Sequence, residues 1–150
     1  MNQRLFTLLA LGFGALLVLQ AALGGWLFFY NIGISPHEIT AHYAHKSFHG
    51  LVEVLLPHTL FIGIALMVVL HFFSFIDVIS LNTRTRFTHF LFTLYVFDQL
   101  SVVPIMMGYE MFAIVKLVSF IGFELTLAWL WIWIFKITLI QLRGYVPNGL

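Results

Sequence analysis

The sequence has no cysteine among its 150 residues. That excludes disulfides, thiolate zinc sites, iron–sulfur clusters and covalently attached c-type haem. Charge is also scarce, at 9% of the chain where a soluble domain carries about 25%. So few charges cannot cover a water-facing surface, and a soluble globular fold is excluded. The formal net charge of +1 leaves no basic face for nucleic acid. There is no internal repeat and no low-complexity segment. What fills the chain is apolar: 61% of the residues, including 17 Phe, with a mean hydropathy of +1.02. That excludes disorder as well, which goes with few apolar residues and much charge. A spanning helix takes about 20 apolar residues, so the length allows four spans with short connections. The sequence predicts one all-α integral membrane domain, a four-helix bundle in contact with the lipid bilayer.

The first apolar run covers residues 5–30, with Gln20 its one strongly polar interior residue. It is longer than a signal-peptide apolar region and has no convincing small-residue cleavage site, so it reads as a retained helix. Gly12, Gly14, Gly24 and Gly25 allow close helix approach. Trp26, Phe28, Phe29 and Tyr30 read as an interfacial aromatic belt. Gly33 ends this helix, and Ser35, Pro36 and Glu38 supply the N-cap, N1 proline and N3 acid of a new one. The helical segment from Pro36 is too polar for lipid. It lies along the interface or extends the second span outward. The second span is 51–76, with Pro57 expected to kink it. Residues 77–88 read as a polar loop containing Asn82, Thr83, Arg84 and Arg86. Residues 87–140 show no obvious breaker, yet one helix of that length would be about 80 Å long. They must fold into two spans, 89–107 and 113–136, turning at Gly108-Tyr109-Glu110. A short tail, 141–150, follows.

Arg4, Arg84, Arg86, Lys136 and Arg143 fall on the side of both termini, and Lys46 and Lys116 on the other. By the positive-inside rule this places both termini in the cytoplasm, across a membrane read as a bacterial inner membrane. Trp129, Trp131 and Trp133 form a second belt near the inner end of the fourth span.

Seven histidines in so apolar a chain point toward chemistry. His42, His45 and His49 follow an i, i+3, i+7 pattern, and Glu38 and Glu53 fall on the same stripe of a continuous helix. Imidazoles and carboxylates so spaced can hold a transition metal. The same stripe on an interfacial helix also serves simply to face water. His58 and His71 lie 13 residues apart on the second span, about 20 Å along its axis. Ionisable residues at such depth are rare and usually functional. Two spans that each supply an imidazole can hold haem b between them. His89, just past the inner loop, reaches roughly the depth of His71, which makes His71–His89 an inner haem pair. His58 would take its partner from His45, His49, Met106 or Met107. The alternative is that each histidine bonds a carbonyl or carboxylate between helices.

In its helix count and its His58/His71 pair the chain resembles the four-helix transmembrane b-type cytochromes. These are haem-carrying membrane subunits of quinone-linked oxidoreductases. The resemblance implies haem b, electron transfer and exchange with quinone. The first and fourth spans, which contain no His, depart from that pattern.

Asp98 and Glu124 are symmetric about residue 111, since (98+124)/2 = 111. Across a hairpin turning there they share one depth, as a proton relay or as protonated acids bonded to Gln99, Ser101 or Thr126. Glu110 and Lys116 flank the turn and are expected to form an ion pair. Three functions therefore remain open: a haem-b electron-transfer subunit of a larger redox complex, a non-catalytic anchoring subunit among other membrane proteins, and a small metal-handling or transport protein. In the first two the chain is a subunit rather than a self-contained enzyme.

Overall fold

Within a bilayer each backbone N–H and C=O must be satisfied inside its own segment, so the apolar runs have helix as their outlet. The computed structural model describes residues 3–75 and 79–144. Six helices follow one another: α1 (Gln3–Asn31), α2 (Pro36–Ala44), α3 (Phe48–Ser74), α4 (Leu81–Leu100), α5 (Val102–Met106) and α6 (Met111–Gly144). Helices α1, α3 and α6 are each long and apolar enough to cross a membrane, and α4 with α5 makes the remaining span. This is the four-span all-α bundle expected from composition, with α2 as the extra helix before the second span. Below, the end of the bundle carrying α2 and α5 is called the α2 face, and the opposite end the terminal face.

The boundaries are set by local chemistry. Gly33 and Gly108 have φ of +94° and +90°, the left-handed region that favours glycine, and each makes a turn between helices. Ser35 and Glu38 form the expected capping box. The Glu38 N–H donates to Ser35 Oγ at 3.2 Å, and the Ser35 N–H donates to Glu38 Oε2 at 2.9 Å. Helix α3 continues through Pro57 as a single element.

Four expectations are corrected. The segment from Pro36 does not run unbroken into α3, because Ser47 caps a new helix, accepting the Gly50 N–H at 3.1 Å. The loop expected over 77–88 is helical from Leu81, because Ser80 accepts the Thr83 N–H at 3.2 Å. Arg84 lies in that helix and reaches back to donate to the carbonyls of Ser74 and Ile79, closing the end of α3. The third span is interrupted at Ser101: Pro104 has no N–H to offer the Leu100 carbonyl. The fourth span begins at Met111 and runs to Gly144. Ile76, Asp77 and residues 145–150 of the tail lie outside the described residues, as do the side chains of Arg4 and Arg143.

Helix α6 packs against α1, α4 and α2, and α4 also packs against α3. Two apolar cores result. Toward the terminal face, Ala10 and Leu17 of α1 meet Leu66, Val69 and Phe73 of α3, Leu91 of α4 and Leu130 and Ile134 of α6. Gly14 admits the indole of Trp131 here: a Cβ at residue 14 would lie 1.3 Å from the ring. Around Gly12, Gly24 and Gly25 a Cβ would meet nothing within 4 Å, so of the four only Gly14 makes a close approach. At the α2 face, Ile39 and Tyr43, one helical turn apart, bury against Val102, Ile105 and Ala113, with Phe28 alongside.

Candidate functional site

Helices α1 and α3 touch near the terminal face, where the rings of Phe13 and Phe72 lie 6.1 Å apart. Toward the α2 face both line a cavity of about 830 Å³. Residues of α1 from Leu16 to Asn31, with Ile32 just beyond it, and residues of α3 from Leu51 to Leu66 line its sides, α4 and α6 make the floor, and His42, Tyr43 and Lys46 form the roof. That volume falls in the range of small-molecule sites. Most of its wall is apolar, and much of the cavity is open rather than enclosed.

The floor carries a closed polar network. Lys116 Nζ donates to Asp98 Oδ1 at 2.8 Å and to the Asp98 carbonyl at 3.1 Å. The ammonium also lies 5.9 Å from the ring centres of Phe28 and Tyr43. Asp98 Oδ2 accepts from Gln99 Nε2 at 2.8 Å, and Gln99 Oε1 accepts from Thr59 Oγ1 at 3.2 Å. Tyr95 donates to the Thr59 carbonyl at 2.6 Å. Three helices are thus tied by one charge-balanced chain of bonds. The expected pairing of Lys116 with Glu110 does not form. A cation only 5% exposed needs an interior carboxylate, and Glu110 is exposed at the turn.

The hairpin explains the placement. Its turn is centred on residue 109, so Asp98 is level with residue 120, since 2 × 109 − 98 = 120. Lys116 and Glu124 lie one helical turn to either side of Phe120 on the same face of α6. All three line the cavity with Asp98. The long lysine stem brings its ammonium to the Asp98 level.

Outside this network the polar groups that line the cavity include Gln20, Glu124 and His58, with His42, Tyr43 and Lys46 at the roof. Among the described residues the side chains of Gln20 on α1 and Glu124 on α6 make no hydrogen bond. His58 on α3 uses only Nδ1, 2.9 Å from the Val54 carbonyl oxygen. A carbonyl only accepts, so Nδ1 carries the hydrogen and Nε2 keeps a bare lone pair. Gln20, Glu124 and His58 come from three different helices.

The roof is held by Tyr43, whose burial pushes its hydroxyl pKa upward. His42 packs edge-on against Tyr43, ring centres 5.1 Å apart. Burial, with Lys46 nearby, lowers the pKa of His42.

The outer histidine stripe is divided between two helices. His42 lines the cavity, His45 is exposed at the end of α2, and His49 sits in the first turn of α3 bonded to Glu53 at 3.1 Å. Glu38 is engaged in the capping box, which lowers its pKa. Among the described residues no three of His, Asp and Glu converge as a group able to hold a metal ion. His58 shares the cavity with His42, whereas His45, His49, Met106 and Met107 do not line it. His71 and His89 are both exposed, as is His58, but neither lines the large cavity. His71 lies edge-on to Phe75 at 4.8 Å. His89 lines a separate cavity of about 250 Å³ with Arg84 and Thr88, which Leu70 and Phe73, not His71, line from α3.

Sequence reasoning missed Tyr43 and Gln20 as cavity residues and gave Lys116 another partner. Gln20 had a signal, as the lone strongly polar residue of its span. Tyr43 had one too, four residues from Ile39 on the apolar side of α2.

No curated protein and no solved structure matches the chain. A family model described as a transmembrane helical domain, Aq_1264_TM, does match, over residues 33–143, which takes in α2 to α5 and nearly all of α6. That match covers about three quarters of the sequence, and the chain belongs to this family of transmembrane helical domains.

Proposed function

We propose that this chain is a membrane subunit that binds a lipid-soluble molecule with an oxygen-bearing head, of the quinone class, within a larger redox assembly. The carrying observation is the cavity lined by α1 and α3: apolar walls and open polar groups that include Gln20, His58 and Glu124, from three helices. A few placed polar groups in an apolar cavity is how proteins orient such ligands. The tail would lie along Leu16, Leu23, Leu55 and Ile62, and the head would meet the open groups. The Lys116–Asp98 pair, already satisfied, is a wall of the site. The connections between spans are short, which favours electron exchange through partner subunits over self-contained catalysis. The proposed orientation sets the α2 face outward and both termini in the cytoplasm of a bacterial inner membrane. The test is equilibrium binding of a decyl-substituted benzoquinone to the protein in nanodiscs. Wild type should bind saturably, and Leu127→Trp, which projects a larger ring into the cavity, should bind more weakly. Equal uptake by both would overturn the proposal.

A haem b in the same cavity is the second reading, favoured by His58. A ring fixed through Nδ1–H to a backbone carbonyl presents Nε2 as ligands to iron do. His42 on the roof is the other imidazole of that cavity. Such a haem would supply one-electron transfer. His71 and His89, which do not line that cavity, would hold a haem only outside it. A reduced-minus-oxidised spectrum of wild type and His58→Ala decides: haem absorbance lost in the variant supports this reading, and none in wild type removes it.

A further inference from the structure

We infer that the molecule bound in this cavity carries an acidic head, ionised as in a hydroxyquinone, whose anionic oxygen meets Lys46 at the roof. The inference rests on the cavity being the binding site proposed above, and it adds the charge of the head. Lys46 lies in the turn between α2 and α3, half-buried, and lines the cavity. Its ammonium is 5.7 Å from the centre of the Tyr43 ring, and among the described residues it has neither a hydrogen bond nor an ion pair. Every described acid is engaged or distant from it. Glu38 accepts the Ile34 and Ser35 N–H groups, Glu53 is bonded to His49, and Asp98 is held by Lys116 and Gln99. Glu110 is exposed at the hairpin turn and does not line the cavity. Glu124 does line it, but eight residues past Lys116 on α6 (124 − 116 = 8), about 12 Å further from the α2 face.

A second cation lies near the same ring, since Lys116 Nζ is 5.9 Å from the Tyr43 centre. The one carboxylate at that level, Asp98, is bonded to Lys116. The other roof groups supply no negative charge. His42 is neutral or cationic, and burial keeps the Tyr43 hydroxyl protonated, as a donor. The α2 end of the cavity therefore carries a positive charge with no counterion in the described protein, directly above apolar walls. An anion with an apolar tail satisfies both features at once. Its bond to the ammonium is charge-assisted, about twice as strong as a neutral one, and the apolar surroundings strengthen it further. A neutral carbonyl accepts from the same ammonium and leaves the charge unbalanced. A free inorganic anion balances the charge and leaves the walls unfilled. The anionic headgroup of a bilayer lipid offers the same chemistry as an acidic ligand, so the test separates the two sources.

The experiment compares a decyl-substituted hydroxynaphthoquinone, ionised at neutral pH, with its methoxy counterpart, which stays neutral. Binding is measured by calorimetry on the full chain in phosphatidylcholine nanodiscs, with uptake by empty nanodiscs subtracted. Wild type should bind the hydroxy probe roughly tenfold more tightly. In Lys46→Met the two affinities should converge within about threefold. Lys46→Arg keeps the roof cation, and Lys136→Met removes an exposed lysine toward the other end of α6; both should retain the preference. The ratio is internal to each preparation, so a loss of folded protein cancels. Repeating the wild-type measurement with phosphatidylglycerol in the nanodiscs separates the sources. An undiminished preference supports an anion carried by the ligand itself, and an erased one overturns that in favour of a lipid headgroup at Lys46. Equal wild-type affinities in phosphatidylcholine would overturn the inference and leave the binding site standing. A preference that survives in Lys46→Met, or is lost in Lys136→Met, would overturn the role of Lys46. Binding of neither probe would overturn the binding site and this inference with it.

Discussion

Replacing Lys116 with Met removes the one cation that faces Asp98 and leaves a carboxylate with the Gln99 bond alone. The pair is buried, with side-chain exposures of 6% and 12%, so solvent screening does little to soften the loss. Breaking such a pair from one side costs about 3–5 kcal/mol. The surviving Gln99 bond at 2.8 Å sets the expected value near the lower end, about 3 kcal/mol. Asp98→Asn orphans the ammonium and should cost a similar amount. Lys116→Met with Asp98→Asn removes both charges, keeps the acceptor for Gln99, and should cost only about 1–2 kcal/mol, since a buried ion pair adds little over an uncharged replacement. The double variant should thus be more stable than either single one, with a coupling of several kcal/mol. Equilibrium unfolding in mixed detergent micelles, followed by tryptophan fluorescence, measures all four proteins. Additive losses, or single losses below about 1 kcal/mol, would refute the assignment of the pair as a charged interior contact.

Gly14→Val should wedge α1 from α6 and destabilise by about 1–3 kcal/mol, with a red-shifted Trp131 emission as the measure. The docking of α2 should weaken in acid. The capping box holds Glu38 below its ordinary 4.5, so its contribution is present above that value and lost as pH falls through the lower folded-state pKa. His42, also lowered, from 6.5, binds fewer protons folded than unfolded, so stability again falls as pH drops from that value. Amide exchange over residues 36–44 at pH 7.5 and 4 reads both, and unchanged protection would contradict them. With no native cysteine, single cysteines at Ser80 and Glu110 report topology cleanly. An impermeant maleimide should label residue 110 from outside and residue 80 only after lysis, and labelling of both from one side would refute the orientation.

The four spans, the Ser35–Glu38 box and the Gly108 turn were legible because each is a local signal: run length, a cap spacing, a residue tolerant of positive φ. The continuous histidine stripe was not. Its 100° periodicity ran through Ser47, and periodicity of imidazoles says nothing about whether a hydroxyl will stop the helix. Ser80 and Pro104 were overlooked for the same reason, as single polar or cyclic residues beside apolar runs. The partner of Lys116 depended on hairpin register to within two residues and on the reach of a lysine stem, neither of which spacing alone supplies. The cavity was invisible because it lies between helices, lined by α1, α2, α3, α4 and α6 together, and spacing along one helix does not report the gap to the next.

The length of α1 gives it a mechanical character. Its apolar span of 25 residues is about 38 Å long, against a hydrocarbon core of about 30 Å. The excess has to be taken up by tilt or by local thickening of the bilayer. Near one end the helix is pinned where Gly14 receives Trp131 and Phe13 meets Phe72. Near the other it leans on Phe120 through Phe28, ring centres 4.1 Å apart. The helix is thus packed against α6 near both ends of its span. Any tilt forced on α1 by a thinner bilayer is therefore shared with α6 rather than taken up by α1 alone.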